Sequence, residues 1–147
     1  MKNLTFIINI NAPKQKVWDT MLNAETYQQW TGSAWPGSNY TGQWAPGANI
    51  SFIGSQDGAG TLAKILAFEP YDRVTAEHIA VLLPGGVEDR DSEMAKNWVG
   101  STEQYDFSEQ DGLTTLTVSM SVYPEWEPMF THDWPIALEG LKGLCES

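Results

Sequence analysis

An apolar strand that runs into a proline-started helix opens this chain, and an amphipathic helix closes it. Between them lies a run of β-hairpins. That bracketing limits the fold more than any single motif does. Residues 3–10 alternate and are rich in β-branched and aromatic types, the pattern of a half-buried strand. Pro13 then suits a first helical position, where its missing N–H costs nothing. Val17, Trp18, Met21 and Leu22 follow at helical spacing. Asn23 is a good cap for a second short helix from Ala24 to about Gln29, with Glu25 near its positive end. At the far end Trp134, Ala137, Leu138, Leu141, Leu144 and Cys145 share one helical face, opposite Glu139, Lys142 and Glu146. Pro135 fits near the start of that helix. A helix that begins earlier would carry it inside and should kink there.

The middle of the chain reads as strands and turns. Trp30 to Gln43 is rich in Gly, Ser, Thr and aromatics and reads as a loop. Short strands are expected at Trp44–Pro46 and Ile50–Ile53, then longer ones at Thr61–Phe68, Val74–Leu83, Trp98–Phe107 and Leu113–Tyr123. Asp57-Gly58, Pro70-Tyr71-Asp72 and Gln110-Asp111-Gly112 punctuate them as turns. Pro84 to Lys96, with a Gly pair and a charge run, reads as a long mobile loop or a lid. Pro124 to Pro128 breaks the pattern. The order β-α-α, six strands, α describes an α+β domain, one unit over residues 1–147.

Charge and cysteine content remove several functions. The net charge is −11, from 19 acidic and 8 basic residues, and Lys64, Arg73, Arg90 and Lys96 are scattered through the middle. Nucleic acid and anionic membranes both require clustered basic residues, so neither is an expected partner. Cys145 is the only cysteine, so one chain can build neither a disulfide framework nor a cysteine metal site. His78 and His132 have no partners at ligand spacing, and no metal or cofactor is expected. No stretch has transmembrane length, and the N-terminal apolar run is too short for a signal peptide, so a soluble cytoplasmic protein is the expectation.

Several stretches together resemble the START-like superfamily (SRPBCC, birch-pollen-allergen-like). Within it the likeness is greatest to the family related to the activator of the ninety-kilodalton heat-shock protein ATPase. The residues are Ile10-Asn11-Ala12-Pro13 with Val17-Trp18, Tyr27-Gln28-Gln29-Trp30, Gly47 before the third strand, and Glu69-Pro70 with Arg73-Val74. Asp111-Gly112-Leu113-Thr114 and Trp134 with Leu138, Leu141 and Lys142 complete the set. The resemblance implies a helix-grip fold: a curved antiparallel sheet around the C-terminal helix, two short helices closing one end, and an internal cavity. Relatives are lipid carriers, cyclases, hydratases, receptors and co-chaperones, so fold alone assigns no activity.

Seven tryptophans are the stronger functional signal. Trp18 and Trp134 lie on apolar helical faces and read as core. Trp30 and Trp35 fall in the Gly/Ser-rich segment, where a core role is less automatic. Trp126, Met129 and Phe130 precede the terminal helix, near the pocket mouth that the resemblance implies. Alternation puts Val74, Ala76 and His78 on one strand face, and Glu103, Tyr105 and Phe107 on the next. Two placements of His78 and Glu103 stay open: together in the cavity, orienting a polar head or acting as acid and base, or solvated at the sheet rim. The rings likewise either border the cavity or fill it. The expected lining is Trp30, Trp35, Phe52, His78, Trp98, Glu103, Tyr105, Met120, Phe130 and Trp134; the loop and helix members of that set come from the resemblance. The leading expectation is binding of a small hydrophobic or aromatic molecule. A protein-interaction module, with a protein partner or a homodimer, is one alternative. A cyclase- or hydratase-type enzyme using His78 and Glu103 is another. No nucleophile motif points to covalent catalysis, and no catalytic residue is assigned.

Overall fold

Along the first strand the even-numbered side chains from Leu4 to Ile10 turn inward, while Ile7 is left 65% exposed. The computed structural model describes residues 1–54 and 57–147. β1 (Lys2–Ile10) leads into α1 (Lys14–Leu22) and α2 (Ala24–Gly32). Seven strands follow: β2 (Asn39–Gly42), β3 (Asn49–Ile53), β4 (Gly60–Glu69), β5 (Arg73–Leu83), β6 (Val87–Asp89), β7 (Thr102–Gln110) and β8 (Leu113–Val122). A short helix, α3 (Glu93–Trp98), interrupts them, and α4 (Glu127–Glu146) closes the chain.

The sheet order is β1-β8-β7-β5-β4-β3-β2, every pair antiparallel, with β6 paired to the end of β5. β5 is shared: Arg73–Glu77 pairs with β7, and Val81–Leu83 pairs with β6. Two register shifts between β4 and β5 bend the ladder, which is how a sheet acquires curvature. The concave face closes on α4. Ile10, Leu116 and Val118 from the sheet and Ala137, Leu138 and Leu141 from α4 are all at or near zero exposure. Burial of a side chain of that size stabilises the fold by about 1.5–3 kcal/mol. At the C-terminal end of α4, Lys142 Nζ donates to the Asn9 carbonyl, and Glu146 accepts from the Asn11 amide, both at 2.8 Å.

Several boundaries differ from the sequence reading. The first strand after the helices is Asn39–Gly42, and Trp44–Pro46 forms no strand. α2 runs three residues past Gln29, so Trp30 is helical. The segment from Pro84 to Lys96 is not a bare loop: it contains β6 and most of α3. Ser92 Oγ caps α3 by accepting the Ala95 N–H at 3.1 Å, with Glu93 in its first turn and Lys96 in its last. Ser, Glu and Lys in that order satisfy a helix at both ends, so the charge run is a helix pattern. Trp98 therefore ends a helix instead of starting a strand. α4 begins at Glu127, with Pro128 in its first turn, and Pro135 falls in its interior. Asp133 lies inside this helix, and its carboxylate accepts the Trp35 indole N–H at 3.1 Å. Asp57-Gly58 belongs to the β3–β4 connection, part of which, residues 55 and 56, lies outside the described residues. Among the described residues no helix is long and apolar enough to cross a membrane.

Candidate functional site

The site begins with helix periodicity. Asn23 Oδ1 accepts the Glu25 N–H at 3.0 Å and starts α2. Tyr27, Trp30 and Thr31 then fall on one face by their three- and four-residue spacing. Trp30 is fixed by its indole N–H to the Met21 carbonyl at 3.1 Å. α2 can lie close to α4 because residue 140 is glycine. A Cβ there would sit 2.4 Å from Ser33 Oγ and 3.2 Å from the Trp30 carbonyl oxygen. On α4, Phe130 and Trp134 are one turn apart and face the sheet side. Trp30 and Trp134 meet with ring centroids 6.3 Å apart. Trp35 stands edge-on to Trp134 at 5.3 Å.

The sheet supplies the polar part. Ala76 of β5 pairs with Glu103 of β7, which places His78 diagonally across from Glu103 on the same face. The rim placement is therefore excluded: His78 is 2% exposed, and its Nε2 lies 3.0 Å from Glu103 Oε1. The Tyr105 hydroxyl donates to Glu103 Oε2 at 2.5 Å. The imidazole meets two tilted rings, Trp98 with its centroid at 4.8 Å and Phe52 at 6.2 Å.

These groups border one cavity of about 340 Å³ between the sheet, α2, α3 and α4. Its wall includes Trp30, Trp35, Phe52, His78, Trp98, Glu103, Tyr105, Phe130 and Trp134. Met120 does not reach it. It faces inward, as alternation requires, but is packed within the core at 4% exposure. The cavity also has walls that the sequence reading did not name: Tyr27, Thr31 and Ser38 on the helix side, and Gly60 and Thr61 on β4. Tyr27 carried a usable signal, since it precedes Trp30 by three residues and shares its face once α2 extends that far. Trp98 and Phe130 also border a second depression of about 340 Å³, which opens outward past Met94, Trp126 and Met129. The two share Gly60, Thr61, Trp98 and Phe130 as lining.

Charge in this wall is unusual. Burial pushes the Glu103 carboxyl up, but the His78 hydrogen bond, the His78 charge and the Tyr105 hydroxyl outweigh it, and the net direction is below the usual carboxylate range. Burial and the neighbouring Glu103 charge push the Tyr105 phenol well up, so it stays a donor. Burial raises Tyr27 in the same sense, with Glu103 adding to it. A carboxylate only accepts hydrogen bonds, so His78 Nε2 carries the donated proton. His78 Nδ1 and the indole nitrogens of Trp98 and Trp134 are buried within the wall without partners among the described residues. Chemically the arrangement can hold a flat or compact apolar molecule and address it through one carboxylate. Among the described residues no group of three His, Cys, Asp or Glu is placed to hold a metal ion.

The model of a family described as "Activator of Hsp90 ATPase homolog 1-like protein" matches residues 11–146. Solved structures of similar fold include the Aha1 dimer from Colwellia psychrerythraea. It is 19% identical, with 99% of this chain and 97% of that one covered and a TM-score of 0.74. CalU16 from Micromonospora echinospora is 19% identical over 99% of this chain and 76% of its own, with a TM-score of 0.67. DynU16, a putative protein in the dynemicin biosynthetic locus, is 17% identical over 100% of this chain and 48% of its own, with a TM-score of 0.73. Identities this low speak to fold alone. A comparison with curated proteins gives no match.

Proposed function

This chain belongs to the activator of Hsp90 ATPase homolog 1-like family, and on that premise we propose that it binds a small hydrophobic or aromatic molecule in the cavity between sheet and α4. The observation that carries this reading is the cavity itself. At about 340 Å³ it lies at the lower end of small-molecule sites, which favours a ligand of one or two rings. Its wall is mostly aromatic, and its one carboxylate is held by two donors. Rings that only stabilised the fold would close on one another and leave no such space.

Naphthalene is a direct probe. Added to the protein, it should quench tryptophan fluorescence and raise the melting temperature with concentration. A ligand that binds only the folded state contributes about 1.4 kcal/mol at ten times its Kd, a shift of a few degrees. No quenching and no shift up to the solubility limit would sink the proposal.

A protein-interaction role is the second reading. It is favoured by the outer groove, where Met94 and Met129 are 49% and 52% exposed beside Trp126. One fold neighbour is itself described as a dimer. The His78–Glu103 contact also pairs an imidazole with an orienting carboxylate, the arrangement an acid–base residue uses. Turnover of any bound molecule should therefore be followed alongside binding.

A further inference from the structure

Glu103 is the one carboxylate in the cavity wall, and no lysine or arginine stands among the described residues that line it. Its two hydrogen-bond donors are the Tyr105 hydroxyl and the His78 Nε2–H. Each carboxylate oxygen can accept two hydrogen bonds and receives one from the described side chains. The side chain keeps 17% of its exposure. A buried carboxylate is costly unless it is paired and hydrogen-bonded, and the described wall offers Glu103 one imidazole and no lysine or arginine. Here the carboxyl is held in its charged form.

The surroundings of that charge point the same way. Ring contacts run from Phe130 through Trp98, His78, Phe52 and Tyr27 to Trp30 and Trp134, each centroid 4.8–6.3 Å from the next. Tyr105 meets Trp134 at 6.2 Å and places its hydroxyl on Glu103. Aromatic faces are electron-rich and attract cations, most of all where water is excluded. The whole chain carries a net charge of −11, which raises the local concentration of cations at the mouth. An anionic ligand would meet the Glu103 charge with only the His78 imidazole beside it. An uncharged one would leave the carboxylate as it is.

We infer that the molecule bound in this cavity is an organic cation, an ammonium group carried on a small apolar or aromatic body, seated against Glu103 within the ring of aromatic side chains. This rests on the small-molecule reading above and adds the charge.

Benzyltrimethylammonium and its uncharged carbon isostere, neopentylbenzene, test it, because they share shape and differ in charge at every pH. Phenylacetate is the anionic control. Affinities are measured by tryptophan quenching and calorimetry. The ammonium should bind at least tenfold tighter than neopentylbenzene, and phenylacetate should bind more weakly than either. In Glu103→Gln the ratio of the first two affinities should fall toward one, whatever the substitution does to both together. Equal or tighter binding of neopentylbenzene overturns the inference, as does a ratio unchanged in Glu103→Gln. The wild-type comparison decides the matter by itself if the variant does not fold. Naphthalene that binds beside a ratio of one removes only the charge; failure of all the probes removes the cavity reading with it.

Discussion

Trp18 and Trp134 are both helical, both on apolar faces and both 5% exposed, yet one is wedged solid and the other borders a void. Trp18 is met by Phe68, Tyr71 and Phe107 at centroid distances of 5.2–6.0 Å. Trp134 is met by Phe6, Trp30, Trp35 and Tyr105, and one of these, Tyr105, is tied to a carboxylate. The closed end holds only groups that gain by touching. At the other end Glu103 must keep a polar environment, and apolar rings cannot cover it without loss. The difference between core and wall thus lies less in the tryptophan than in what faces it.

The largest test of this contrast is a pair of truncations. Trp18→Ala should cost about 3–5 kcal/mol in chemical denaturation, as for a packed aromatic. Trp35→Ala should cost about 1–2 kcal/mol, since one side of that ring already faces the cavity. Equal costs would show that the two ends are packed alike.

A smaller effect is expected at the mouth. Ser92→Ala removes the cap of α3 and should cost about 1 kcal/mol. Because α3 carries Met94 and Trp98, the loss should show as local opening. Trypsin should cut after Arg90 or Lys96 before it cuts elsewhere, and faster in the variant. First cleavage near the closed end would reverse the assignment of which end is loose.

The smallest effect appears only in acid. The Glu103 carboxyl titrates lower in the folded chain than its ordinary value of 4.5. Its ionised form therefore stabilises the fold above that value, and the contribution is lost as pH falls below it. Glu103→Gln removes this dependence, so its stability should fall less steeply between about pH 5 and 3 than that of the parent chain. Trp18→Ala should keep the parent's slope. Identical slopes in the parent and Glu103→Gln would contradict the assigned environment.

How far these features could be read from the chain depends on their range. Strand faces follow from a two-residue period, so Glu103 and Tyr105 were legible as sharing one face, and His78 as sharing one with Val74 and Ala76, while burial or a solvated rim stayed open for His78 and Glu103. The register that brings Glu103 beside Ala76 keeps that parity even though β7 starts at Thr102 and not at Trp98. The terminal helix face was legible from Ala137 to Cys145. Its first two turns were hidden because Pro124 to Pro128 read as a break and Pro135 as a position near the helix start, although Pro128 occupies a first-turn position that tolerates proline. α3 was masked by its own charges. The void was legible only through the family resemblance and from no local pattern. It is a difference between the space enclosed by two sheet halves and three helices and the volume of the rings placed there, and no local pattern records that difference. Met120 shows the limit: its inward direction was readable, but whether it met space or other core side chains was not.

Cys145, the one sulfur nucleophile of the chain, lies on the last turn of α4 at 1% exposure. Burial pushes its thiol up, so little thiolate forms and none is within reach of another molecule. Two folded chains cannot be joined through it. A covalent dimer on a non-reducing gel is therefore a record of molecules whose C-terminal turn had already come undone when the air reached them, and its amount dates the sample.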